Sequence, residues 1–123
     1  MAERPTVAVV DDDESVRESL FHLLKALGFT ARAFQSAEEF LASGFLPEAE
    51  CLILDVAMRG MSGPQLQAEL KGLGSEIPII FITAGSDQSL RQSLLAQGAV
   101  DCLVKPFSDT VLLEALNRAL HLE

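Results

Sequence analysis

Two kinds of apolar pattern alternate along the chain. Short, nearly continuous apolar runs predict strands buried on both faces, and they cover residues 6–10, 29–34, 51–54, 77–82 and 100–104. Between these runs apolar residues recur three and four positions apart, which predicts helices at 14–27, 37–42, 64–70, near 90–98 and after 108. Strands that alternate with helices predict a doubly wound α/β fold, with one parallel sheet covered on both faces.

Individual residues mark where several of the helices begin. Ser36 and Glu39 have the spacing of a capping box for the second helix. Pro64 suits the first turn of the third helix, and Ser108 is placed to cap the fifth. The fifth helix is predicted to bury one apolar face, formed by Val111, Leu112, Ala115, Leu116 and Ala119.

Composition and charge exclude several classes of protein. The 123 residues suffice for one domain, and the net charge of −9 argues against nucleic-acid binding, which depends on neutralising phosphates. No apolar run approaches the ~18 residues of a membrane span, and residues 1–5 lack the features of a signal peptide. We therefore expect a cytoplasmic domain without membrane contact.

Cys51 and Cys102 lie in apolar runs without a partner at metal-ligand spacing, which predicts buried free thiols.

Polar side chains follow four of the five predicted strands. They are the aspartate triplet 11–13, Asp55, Thr83 and Lys105. Because open α/β sheets bind ligands at the carboxyl ends of their strands, we expect these side chains to converge on one crevice. Two like charges ~4 Å apart repel by roughly 4 kcal/mol at an effective dielectric of ~20, so a compact acidic cluster needs a compensating cation or a proton. A divalent metal ion would provide that compensation.

The sequence around these positions resembles the receiver domains of bacterial two-component response regulators. The motifs are Val-Val-Asp-Asp-Asp-Glu after strand one, Leu-Ile-Leu-Asp-Val-Ala-Met-Arg-Gly-Met-Ser-Gly around Asp55, Phe-Ile-Thr-Ala, and Val-Lys-Pro-Phe. Residues 34–40 and 98–101 are most similar to FixJ-type receivers, which precede a LuxR-type helix-turn-helix domain. The resemblance implies a flavodoxin-like, CheY-like sheet in the order 2-1-3-4-5. It also implies that residues 1–123 form a single receiver domain whose output domain is absent or removed.

The resemblance assigns roles to the acidic residues. Asp55 would be the phosphoacceptor, and its carboxylate can attack phosphorus to form an acyl phosphate. Mg²⁺, for which Mn²⁺ can substitute, would be held by Asp12, by Asp11 through water, by Asp55 and by the backbone carbonyl of Ala57. Hard oxygen ligands and retained waters are what Mg²⁺ prefers.

The remaining strand-end residues would bind the phosphoryl group or shape its pocket. Lys105 would neutralise one phosphoryl oxygen, while the Thr83 hydroxyl and the Ala84 amide would donate hydrogen bonds to another. Asp13 is expected to be an acidic residue at the start of the first helix and not a ligand. As the family implies, the peptide before Pro106 is expected to be cis.

Several positions depart from the pattern that is common in the family. Arg59 stands where proline is common, which places a cation near the mouth of the pocket. Ala57 and Gly85 stand at two positions that tune hydrolysis of the acyl phosphate, and neither side chain can orient a water. Cys102 stands where the family has its switch aromatic, so this chain has no ring at that position to move together with Thr83.

The implied partners are a sensor histidine kinase and, after phosphorylation, a second copy bound through helix four and strand five. The domain would phosphorylate itself from a donor with Mg²⁺ present but would not turn over as an enzyme.

The main alternative is a pseudo-receiver that acts as an interaction module without phosphorylation. A haloacid dehalogenase-type phosphatase would need a second acid two residues after its nucleophile, where this chain has Ala57. A flavin-binding flavodoxin would not place three aspartates in its phosphate loop.

Overall fold

The computed structural model describes residues 4–121, which form alternating strands and helices. The strands are β1 Thr6–Val10, β2 Thr30–Phe34, β3 Cys51–Asp55, β4 Ile79–Thr83 and β5 Asp101–Val104. The helices are α1 Glu14–Ala26, α2 Ala37–Ala42, α3 Gly63–Gly72, α4 Gln88–Ala96 and α5 Asp109–Leu120. A short 3₁₀ turn at Leu46–Glu48 precedes β3. Within the described residues, no helix has both the length and the apolar character needed to cross a membrane.

The strands form one parallel sheet in the order β2-β1-β3-β4-β5, which confirms the predicted topology. Val10 lies opposite Leu54, and Asp55 lies opposite Ile82, so the strands end nearly level with one another. Because every pair is parallel, all five carboxyl ends lie along the same side of the sheet, which we call the carboxyl edge. The predicted functional residues follow these ends.

Two hydrophobic clusters cover the two faces of the sheet. Side chains such as Val10 and Phe81 pack with α2, α3 and α4, while alternate residues such as Val9 and Ile80 pack with α1 and α5. Every residue of β3 is buried, as expected for a central strand covered on both sides. This rigid centre holds the end of β3 in place at the carboxyl edge.

The two cysteines lie on opposite faces of the sheet. Cys51 belongs to the cluster under α1 and α5, and Cys102 belongs to the cluster under α3 and α4. In addition, β4 lies between β3, which carries Cys51, and β5, which carries Cys102. Both thiols are free and buried, as predicted. Burial raises the pKa of the Cys51 thiol to about 12.

The helix starts agree only in part with the sequence motifs. The Ser36 hydroxyl accepts a hydrogen bond from the Glu39 amide at 3.0 Å, as predicted. The Glu39 carboxylate, however, accepts from the amide of Gln35 and not from that of Ser36, so the capping box is incomplete. A complete capping box occurs instead at the start of α3, between Ser62 and Gln65. Ser108 caps α5, as expected.

Two other expectations are corrected, and one short element is new. Strand β4 begins two residues later than predicted, because the amide of Ile77 donates to the Ser75 hydroxyl in a turn. Val111 is 41% exposed and does not belong to the buried face of α5, since it points away from the stripe that starts at Leu112. The 3₁₀ turn before β3 was not predicted, although Pro47 suits its second position.

Candidate functional site

Three carboxylates meet at the carboxyl edge. Asp11 and Asp12 directly follow β1, and Asp55 is the last residue of β3, the neighbouring strand. Each can direct one oxygen into a group whose members lie within 4.8 Å of one another. Asp11 and Asp55 are 0% and 6% exposed, and Asp12 is only half-buried at the mouth of the group. The sequence-predicted acidic cluster is therefore formed, with its oxygens in reach of a single cation.

Lys105 reaches the same cluster from the end of β5. Its Nζ lies 3.5 Å from Asp11 Oδ2 and 3.6 Å from Asp55 Oδ1. The peptide between Lys105 and Pro106 is cis, as predicted. One ammonium beside three carboxylates leaves two negative charges if all the acids are ionised and the exposed Arg59 guanidinium, 3.7 Å from Asp12, is left out of the count. That excess equals the charge of one divalent cation.

The surroundings of Asp55 disfavour the ionisation of its carboxyl group. The pKa of the Asp55 carboxyl is raised to about 6, mainly by burial and also by the charges of Asp11 and, more weakly, Asp12. The ammonium of Lys105 acts in the opposite direction. Without a bound cation, the pocket thus disfavours the ionised form of the Asp55 carboxyl.

The backbone around Asp11 is fixed by the start of α1. The amide of Asp13 donates to Asp11 Oδ1 at 2.9 Å, and the Asp13 carboxylate accepts from the amide of Val16 as the N-cap of α1. The Arg17 guanidinium donates to the Asp11 carbonyl at 2.8 Å. Asp13 therefore lies at the start of α1, as predicted, and its side chain also caps the helix. Sequence reasoning missed Arg17, whose place one turn into the helix gives no signal of this contact.

The loop between β3 and α3 is anchored to the acidic cluster and to α2. The Arg59 amide donates to Asp12 Oδ2 at 3.1 Å, and the Met61 amide donates to Glu38 Oε2 at 2.9 Å. Ala57 is exposed in this loop, two residues after Asp55. The fold thus keeps the Ala57 backbone next to the cluster.

Gly63 lets helix α3 begin directly against the end of β3. Its amide donates to the Val56 carbonyl at 2.9 Å. A Cβ atom at this position would collide with the backbone carbonyl oxygen of Asp55 and would press on the Phe81 ring. The structure thus shows that the lack of a side chain at Gly63 is required.

Thr83 and Ala84 lie at the end of β4, between the strands that contribute Asp55 and Lys105. The Thr83 hydroxyl accepts a hydrogen bond from the Gly85 amide at 3.3 Å, and Ala84 is exposed. A cavity of about 170 Å³ adjoins Thr83 and is lined by Cys102, Leu90 and Arg91. The predicted switch residues therefore border the same space.

Similarity to known proteins agrees with this geometry. A family profile described as "Response regulator receiver domain" matches residues 7–117. The chain belongs to this family. It is thus a receiver domain of the two-component response regulators.

Individual relatives support the FixJ-like assignment. The transcriptional regulatory protein TdiR of Thauera aromatica is 43% identical over 95% of this chain and 52% of its own length. FixJ of Rhizobium meliloti is 44% identical over 93% of this chain and 56% of its own. The receiver therefore spans about half the length of these curated relatives. The crystal structure of FixJ-N matches with a TM-score of 0.87 and 42% identity, over 98% of this receiver and 96% of that chain.

Proposed function

We propose that this receiver accepts a phosphoryl group on Asp55 from a sensor histidine kinase. The observation that carries the proposal is the position of the Asp55 carboxylate, at the end of β3, 3.6 Å from the Lys105 ammonium and grouped with Asp11 and Asp12. A buried nucleophile beside a fixed cation and two further acids is suited to phosphoryl transfer, where positioning and charge stabilisation supply most of the catalysis.

The transfer exchanges one bond to phosphorus for another. A carboxylate oxygen of Asp55 forms the new O–P bond while the P–N bond of the phosphohistidine breaks. The electron pair of that bond goes to the imidazole nitrogen, which takes a proton from solvent. Lys105 would neutralise one oxygen of the transferred group, and the Thr83 hydroxyl and Ala84 amide would donate to another.

The residues at the carboxyl edge fit Mg²⁺. Carboxylate oxygens are hard ligands, and three of them lie within 4.8 Å of one another. Asp12 and Asp55 would hold the ion with the Ala57 carbonyl, and Asp11 would act through water; Mn²⁺ would bind the same oxygens. When bound, the metal supplies positive charge that offsets the carboxylates and the incoming phosphoryl oxygens. Asp55 can then remain ionised despite its burial.

The structure favours a phosphoaccepting receiver over a pseudo-receiver. The expected mark of a pseudo-receiver is loss of the phosphoacceptor, the acid pair or the lysine. All of these residues are present and assembled here.

We also propose that the domain does not turn over as an enzyme, because Ala57 and Gly85 offer no side-chain group to orient a hydrolytic water.

The output that this receiver controls is proposed to be transcription in the cytoplasm. The names of TdiR and FixJ describe transcriptional regulatory proteins, and each is nearly twice as long as the part that this chain matches. We propose that the receiver unit acts on a LuxR-type helix-turn-helix domain and does not itself bind nucleic acid. Its net charge of −9 is consistent with that division of labour.

Phosphorylation is proposed to change the surface formed by α4 and β5. The Thr83 hydroxyl would turn towards the phosphoryl group, but Cys102 is too small to fill the space that it leaves. The 170 Å³ cavity next to Cys102 is consistent with that view. We propose that the loop before α4 and α4 itself then shift, and that two phosphorylated copies pair through α4 and β5.

Intact-mass measurement after incubation with acetyl phosphate tests the proposal. The protein should gain one phosphoryl group when Mg²⁺ or Mn²⁺ is present, and none when the metal is chelated. Asp55→Asn should abolish the gain and leave the circular dichroism spectrum unchanged. If the wild-type chain gains no mass under any metal condition, the pseudo-receiver alternative is correct.

A further inference from the structure

Arg59 makes two contacts with one oxygen of the acidic cluster. Its backbone N–H donates to Asp12 Oδ2 at 3.1 Å, and its guanidinium Nε lies 3.7 Å from the same oxygen. The Arg59 side chain is 91% exposed, whereas that of Asp12 is only 24% exposed. The positive group therefore lies at the solvent side of the cluster, over its most accessible carboxylate.

Both contacts depend on the residue type at position 59. Proline, which is common there in similar receivers, has neither a backbone N–H nor a charge. With proline, Asp12 Oδ2 would have no donor from this loop position. Arg59 therefore gives this chain an internal partner for Asp12.

We propose that Arg59 competes with the metal for Asp12 and thereby lowers the Mg²⁺ affinity of this receiver. This inference rests on the proposed function, because it takes Asp12 as a metal ligand. A cation that binds Asp12 through Oδ2 must share or displace the donors on that oxygen, and a cation on either oxygen must approach the guanidinium charge. The second oxygen of Asp12 remains available, so Arg59 weakens binding without preventing it.

The size of the effect follows from the exposure of the pair. An ion pair with one partner in solvent is weak and is screened by salt. We therefore expect the charge of Arg59 to change the Mg²⁺ dissociation constant by about two- to fivefold at low ionic strength. The effect should shrink towards ~1 M salt, where the screening length falls to ~3 Å.

The loop has a second anchor that keeps this test interpretable. Glu38 Oε2 accepts a hydrogen bond from the Met61 amide at 2.9 Å, and this bond does not involve Arg59. Replacing the Arg59 side chain should therefore leave the loop attached to α2. Arg59→Gln removes the charge and keeps the backbone donor, whereas Arg59→Pro removes both.

Isothermal titration with MgCl₂ at low ionic strength measures the affinity directly. Arg59→Gln should bind Mg²⁺ about two- to fivefold more tightly than the wild type, and Arg59→Pro more tightly still. Lys25→Gln is the matched control, because it removes the same charge from the last turn of α1. At a rise of ~1.5 Å per residue, Lys25 lies roughly 16 Å along the helix from the end that adjoins the cluster. Its affinity should stay within about 1.5-fold of the wild type.

Each outcome separates the inference from the function on which it rests. A wild-type chain without Mg²⁺ binding would reject the proposed function itself. Mg²⁺ binding by the wild type with unchanged or weaker binding by Arg59→Gln would reject the competition and leave the function standing. If Lys25→Gln tightened binding equally, total charge and not Arg59 would set the affinity. Weaker binding by Arg59→Pro than by Arg59→Gln would show that the amide positions Asp12 for the metal.

Discussion

At the residue scale, the central feature is Asp55, the proposed phosphoacceptor, whose burial and acidic neighbours oppose its ionisation. Asp55 is buried beside Asp11, and burial together with that neighbour raises its pKa to about 6. Lys105 opposes this shift but cannot balance three carboxylates alone. In the metal-free pocket, Lys105 supplies the positive charge beside Asp11 and Asp55, while the exposed Arg59 contacts Asp12. The dependence on Lys105 can be measured.

Lys105→Met should destabilise the metal-free protein by about 1–3 kcal/mol at neutral pH, between the values for surface and buried pairs. Saturating Mg²⁺ should recover part of the loss, because it binds the native cluster and compensates the same charge. Urea unfolding with and without Mg²⁺ gives both numbers. Lys71→Met is the control, since Lys71 is exposed and contacts Gln97 instead; it should change stability by less than about 0.5 kcal/mol. Equal effects of the two substitutions would contradict the account.

The Cys51 thiol should be inert in the native protein. Its pKa is raised to about 12, so at pH 8 only about one thiol in 10,000 is ionised, and the thiolate is the reactive form. N-ethylmaleimide at pH 8 should leave Cys51 unmodified over hours, as judged by peptide mass. Both cysteines should react at once in denaturant. Rapid labelling of Cys51 in the native protein would show that the face of the sheet under α1 and α5 opens to solvent.

At the element scale, the position of α3 depends on one glycine. Gly63→Ala should destabilise the protein by about 1–3 kcal/mol, because the added Cβ meets the Asp55 carbonyl oxygen, which cannot move without disturbing β3. Gly72→Ala, at the other end of the same helix, has open space around the new Cβ and should stabilise by about 0.5–1 kcal/mol. Thermal unfolding of the two variants measures both changes in stability. Stabilisation of similar size at both positions would show that helix propensity decides and that the contact with the Asp55 carbonyl does not matter.

An ion-pair network joins α4, β5 and α5 through Asp101. Its carboxylate pairs with Arg91 at 3.0 Å and also with Arg118, and the Arg91 guanidinium donates to the Cys102 carbonyl on the outer edge of β5. Asp101→Asn should lower stability by about 1–2 kcal/mol and should raise amide exchange in α4 more than in α3. Unchanged exchange in α4 would show that this network does not restrain the helix.

Sequence patterns predicted these elements well where apolar periodicity was clear. The apolar runs located all five strands, and Ser108 marked the start of α5. Contacts between residues distant in sequence gave no such signal. The Asp101 network joins residues that are 10 and 17 positions apart on different elements, so no local pattern could reveal it. Helix α3 shows the same limit, because Gly63 is explained only by its approach to β3.

At the scale of the whole molecule, the topology explains why the site could be predicted from the ends of strands. Parallel strands bring residues 11, 55, 83 and 105 to one edge wherever they lie in the chain. The sequence did not predict how Arg17 and Arg59 contact the backbone of Asp11 and the carboxylate of Asp12. Those contacts depend on loop conformations, which strand and helix patterns do not determine.

The surface between α4 and β5 should mediate assembly after activation. Val104 on β5 is 42% exposed and borders the same cavity as Leu90 and Arg91 of α4. Sedimentation of the beryllofluoride-treated domain should show a dimer, and Val104→Asp should abolish it by placing a charge in the interface. Val111→Asp, on α5 with a similar exposure of 41%, should still dimerise. A treated wild-type domain that stays monomeric at high concentration would contradict this surface.

The most direct test of the central claim is to locate the phosphoryl bond itself. Borohydride reduces an aspartyl phosphate to homoserine, and peptide mass spectrometry then identifies the position. After incubation with acetyl phosphate and Mg²⁺, we expect homoserine at position 55 and aspartate unchanged at positions 11 and 12. Homoserine at position 11 or 12, or phosphorylated protein with unmodified Asp55, would contradict the account.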